Sequence, residues 1–70
     1  MENNMTFGKR LEHTIKVRGK SKIGIATKLG YDTSTVYKWC NDESEPRLSG
    51  IISLCKELKC SADWLVFGKQ

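Results

Sequence analysis

Few residues in this chain have the types and spacing for bond-breaking chemistry. Its three cysteines, Cys40, Cys55 and Cys60, cannot all pair with one another, and the only histidine is His13. None of the cysteines forms a C-x-x-C, and the set lacks any zinc-site spacing. They read instead as small apolar side chains for an interior. There is no glycine-rich phosphate loop, no paired carboxylate site and no nucleophile beside a histidine, so neither enzyme activity nor a metal or cofactor is expected. What remains is charge. The net charge is +4, and it is unevenly spread: residues 1–41 hold eight Lys/Arg against three acids, residues 42–70 four against five. A basic front half is what a polyanion-binding surface needs, although lysines also solvate helix faces without binding anything.

Within that half, one polar cluster stands out: Thr33, Ser34, Tyr37 and Lys38. It sits in the stretch KIGIATKLGYDTSTVYKW at residues 22–39, where an apolar helical pattern runs from Ile23 to Leu29, stops at Gly30, and resumes from Thr33 to Trp39. Two helices joined by a short glycine-containing turn make a helix-turn-helix. Gly30 suits the left-handed backbone such a turn requires, and Ala26 is small where the two helices approach. Val36 and Trp39 would anchor the second helix to a core. That leaves Thr33, Ser34, Tyr37 and Lys38 on its outer face, and a helix so presented fits a DNA major groove.

Further elements must hold this pair in place. Thr6 can cap a helix carrying Phe7, Leu11 and Ile15 and ending at Gly19. Ser21 caps the next, and Asp32 or Thr33 the third. Residues 42–46 form an acidic turn before Pro46. Leu48 or Ser49 opens a fourth helix with Ile51, Ile52, Leu54, Cys55 and Leu58 as its buried stripe. Ser61 caps a short last helix containing Trp64, a second core anchor, and closed by Gly68. No period-two alternation suggests a sheet. The expected fold is all-α, a bundle of five short helices, with a flexible arm over residues 1–5, one domain over 6–68 and the helix-turn-helix at about 21–41. At 70 residues there is room for one small domain. No apolar run approaches the roughly 20 residues of a membrane span. The opening MENNMTFGKR has no secretory pattern, which makes the cytoplasm the expected location.

Four pieces of the chain, A-x-x-L-G-Y at 26–31, S-T-V-Y-K-W at 34–39, S-E-P-x-L at 44–48 and S-A-D-W-L-V-F-G at 61–68, follow one another in register. Together they make residues 7–68 resemble the Xre family of helix-turn-helix proteins, which includes the lambdoid phage repressors and Cro. The resemblance implies a lambda-repressor-like fold and sequence-specific repression at a pseudo-palindromic operator, with a homodimer on DNA. Residue by residue, it implies base reading by Thr33, Ser34 and Lys38, and Tyr37 against a thymine methyl or the backbone. It implies phosphate or backbone contact by Lys22, Asn41 and Arg47. Each has a plainer alternative: capping for Thr33, Ser34 and Asn41, packing for Tyr37, solvation for Lys22 and Lys38, and pairing with Glu43 or Glu45 for Arg47. The family's usual buried arginine and glutamate fall at Ile15 and Cys40. Matched replacement of a buried pair by apolar groups retains a fold, so these two are expected to pack together. Lys20 and Thr14 also depart from the family's apolar pattern. Relatives often continue beyond this point into a linker and an oligomerising or self-cleaving domain, while Cro-like proteins end here; the sequence is compatible with either. A contrasting role is a protein-interaction module for an antirepressor, toxin or other regulator, which the acidic turn at Asp42, Glu43 and Glu45 would favour by repelling phosphates. An antitoxin or a restriction-modification controller is a further variant.

Overall fold

The computed structural model describes residues 5–69, so most of the expected N-terminal arm lies outside the described residues. Four α-helices follow in order: α1 Phe7–Val17, α2 Lys22–Leu29, α3 Thr33–Cys40 and α4 Leu48–Leu58. A single π-helical turn, Asp63–Phe67, closes the domain. Among the described residues there is no strand, and no helix is long and apolar enough to cross a membrane.

Three hydroxyls start helices as their positions imply. Thr6 Oγ1 accepts from Lys9 N at 3.2 Å, Ser21 Oγ from Gly24 N at 2.9 Å and Ser61 Oγ from Trp64 N at 3.0 Å. Each satisfies an amide that the helix itself leaves without a partner. Asp32 occupies the cap position of α3 but makes no side-chain cap bond, and Thr33 is already the first helical residue. All four α-helices end in the same way, with an amide reaching back five residues: Lys20 to Ile15, Tyr31 to Ala26, Glu43 to Lys38 and Cys60 to Cys55, at 2.8–3.1 Å. The residue in the left-handed region is glycine at 19 and 30 but Asp42 and Lys59 at the other two ends.

The core gathers Leu11, Ile15, Ile25, Ala26, Val36, Trp39, Cys40, Leu54, Leu58 and Leu65. Ile15 and Cys40, at 2% exposure each, lie buried in this one cluster, so the family's ion-pair positions are apolar inside this core. The expected stripe of α4 needs correcting. Ile52 is 48% exposed, because at 3.6 residues per turn it points about 160° away from Leu54. Gly50 takes the inward place, and a Cβ there would stand 3.1 Å from both Pro46 Cβ and the Tyr31 hydroxyl. Trp64 is half-buried rather than enclosed; its indole Nε1 donates to Thr14 Oγ1 at 2.9 Å, which gives the buried threonine of α1 a use. Exposed His13 meets the same indole edge-on, with centroids 6.5 Å apart.

Candidate nucleic-acid interface

The outward face of α3 rests on its inward one. Val36 and Trp39 are buried at 0% and 4% exposure, and Tyr31 packs edge-to-face on Trp39 with centroids 4.8 Å apart. Helical period then turns Thr33, Ser34, Tyr37 and Lys38 to solvent, and all four are exposed. Gly30 sits at φ 83°, and Ala26, 1% exposed, accepts from the amides of both Gly30 and Tyr31 through its carbonyl. Two hydroxyls, a phenol and an ammonium on a rigid rod can donate to and accept from polar edges in a groove. Asn41 is exposed at the C-cap of α3, and Arg47 is exposed at the N-cap position of α4. The ion pairs among the described residues are Lys20–Glu57 and Lys22–Glu12, so Arg47 is not held by Glu43 or Glu45.

Lys22 is differently placed from the other candidates. Its ammonium bonds Glu12 at 2.8 Å and lies 4.7 Å from the centroid of the Tyr37 ring, leaving its side chain 20% exposed. The hydrogen bond and charge of each partner hold the Glu12 carboxyl below, and the Lys22 ammonium above, their ordinary ranges.

The basic front half is less uniformly available than its count implies. Arg10 is buried, with Nε donating to Leu65 O at 2.9 Å, Nη2 to Val66 O at 2.8 Å and Nη1 to Met5 O. Arg18 donates to Leu58 O at 2.7 Å and Lys59 O at 3.0 Å. With Lys20 and Lys22 in ion pairs, Lys9, Lys16, Lys28 and Lys38 remain exposed and unpaired among the described residues. Sequence reasoning missed these ties because nearly all of them join different elements, up to 56 residues apart.

The acidic turn carries a tie to α1 that its composition does not announce. Asp42 folds back onto α1: its carboxylate accepts from Thr6 Oγ1 at 2.5 Å and Gly8 N at 2.9 Å. Those two bonds hold its carboxyl below the ordinary range. Gly8 permits this junction, since a Cβ there would lie 2.4 Å from Cys40 O and 2.7 Å from Trp39 O. A glycine inside an otherwise amphipathic helix was the one available signal. Burial pushes the Cys40 thiol to about 11, and burial with the neighbouring Cys55 does the same for Cys60, so both are neutral thiols near neutrality. No three His, Cys, Asp or Glu side chains converge as metal ligands would, among the described residues.

The helix-turn-helix family model matches residues 17–65. This chain belongs to the helix-turn-helix family. The helix-turn-helix chain is 30% identical over 67 residues to the HTH-type transcriptional regulator DicA of Escherichia coli (strain K12), covering 96% of its own length and 50% of that protein. It therefore spans about half the length of that curated relative. In three dimensions it superposes on the P22 c2 repressor protein, solved in complex with synthetic operator 9T in the presence of Tl+, with a TM-score of 0.87 at 24% identity. That match covers 94% of this chain and 100% of the other, and establishes the lambdoid repressor-like fold.

Proposed function

We propose that this domain binds double-stranded DNA in a sequence-specific manner and acts as a transcriptional repressor of the phage or prophage type. The observation that carries the reading is the exposed outer face of α3, with Thr33, Ser34, Tyr37 and Lys38 outward and Val36 and Trp39 locked beneath. A rod supported in this way enters a major groove with its first turns toward the bases. Thr33, Ser34 and Lys38 would read base edges, Lys38 as a donor to guanine O6 or N7. Asn41 and Arg47 flank that face and would meet the sugar-phosphate backbone. Similarity to a transcriptional regulator, and a fold shared with a repressor solved on an operator, support the same reading.

One such module buries too little surface for tight selective binding, so two copies would occupy a pseudo-palindromic site about one DNA turn apart. The rival reading, a protein-interaction module, draws on the acidic turn, where Glu43 and Glu45 are exposed and Asp42 bonds Thr6 and Gly8. Selection from a random duplex library, followed by salt titration of the best site, tests the proposal. Log K should fall with log salt by roughly 0.9 per neutralised phosphate. Lys38→Ala should cost roughly 1–3 kcal/mol at the selected site and relax preference at one base position. Equal affinity for all duplexes, with Lys38→Ala indistinguishable from the parent, would refute base reading.

A further inference from the structure

Glu12, Lys22 and Tyr37 belong to three different helices yet make one stack: carboxylate on ammonium at 2.8 Å, ammonium over ring at 4.7 Å. Lys22 is the first residue of α2, so its position is fixed by the Ser21 cap, and Tyr37 lies midway along α3. An ammonium has three donors and a strong preference for water. Here one donor is on Glu12, the charge faces a π-surface, and four-fifths of the side chain is covered. A lysine waiting for a phosphate would gain nothing from an adjacent carboxylate, which cancels its field and must be displaced first. What the carboxylate does supply is a fixed place for the charge. Without it the four-carbon stem would swing freely; with it the cation stays over the ring and restrains a 42%-exposed tyrosine.

We propose that Glu12 and Lys22 are positioning residues that set the ring of Tyr37 on the outer face of α3, and that Lys22 does not neutralise a phosphate. The consequence for affinity rests on the DNA-binding reading; the stack does not. Two readouts keep them apart. In the free protein, proton NMR should place the Lys22 side-chain methylenes upfield through the Tyr37 ring current, and Glu12→Gln should move them back toward free-lysine positions. On the library-selected duplex, Lys22→Met and Glu12→Gln should each lose roughly fivefold, the worth of an exposed cation–π contact. Their salt slopes should match the parent. In a Tyr37→Leu background both losses should vanish, and Lys22→Arg should retain binding because it keeps a cation over the ring.

If Lys22→Met lowers the slope by roughly 0.9 and costs as much without Tyr37, Lys22 is a phosphate contact and the proposal is overturned. Lys22 methylenes at free-lysine positions in the unbound protein would overturn it as well. A parent chain that binds no duplex would remove the DNA reading alone. The NMR shift and its loss in Glu12→Gln would still decide whether the ring is positioned.

Discussion

Two left-handed residues bracket α3, Gly30 before it and Asp42 after it, and they reach that conformation for opposite reasons. Gly30, at φ 83°, faces open space: a Cβ there would meet nothing within 4 Å. Its glycine serves backbone freedom alone, since a side chain in this region costs roughly 1–2 kcal/mol. Asp42, at φ 61°, bears a side chain and is held by what that side chain reaches, Thr6 and Gly8 on α1. The entry to the exposed helix is thus a local backbone property. Its exit is a tertiary tie, which stitches the last turn of α3 to the first turn of α1.

This contrast can be broken at four points. The largest effect is expected for Gly8→Ala, where the added carbon would press on two carbonyls at 2.4 and 2.7 Å. Those are backbone atoms and cannot rotate away, so urea denaturation should reveal a loss of roughly 3 kcal/mol. Gly30→Ala should cost about 1–2 kcal/mol by the same measurement. If it costs as much as Gly8→Ala, the entry turn is governed by space and the contrast fails. Asp42→Asn should lose about 1 kcal/mol near neutrality, the usual worth of a capping acceptor.

That variant also carries a pH signature. The folded carboxyl of Asp42 lies below its ordinary range, so its contribution is complete above that range and disappears as pH falls through the folded value. Stability at about pH 3 relative to about pH 7 should therefore fall less in Asp42→Asn than in the parent. Glu12 is shifted in the same direction and sets a shared background in both proteins. The smallest change is expected at Ile52→Ser, within about 0.5 kcal/mol, because that side chain is half in water.

What was legible in the sequence is what nearest neighbours decide. Thr6, Ser21 and Ser61 were readable as caps, and Gly30 as a turn, because each acts on amides within a few residues of itself. The outward set on α3 followed from period alone, given Val36 and Trp39 as the buried side. Asp42 and Lys59 in left-handed positions were not legible, since neither is a glycine and Asp42's partners lie 34 and 36 residues away. Arg10 read as one more surface cation, because nothing in its neighbourhood announces carbonyls 55 and 56 residues on. Lys22 read as free for the same reason, its Glu12 partner belonging to another helix. Ile52 was placed in the stripe by hydrophobicity when phase should have ruled.

The guanidinium of Arg10 grips Met5 at one extremity of the described chain and Leu65 and Val66 near the other. Tension applied at Lys69, by a tether, a fused partner or an optical trap, would therefore reach the opening turn of α1 through two carbonyl bonds as well as through Leu65 in the apolar interior. Fluorophores attached at positions 5 and 66 would report the opening of that grip, since Arg10 bonds both carbonyls.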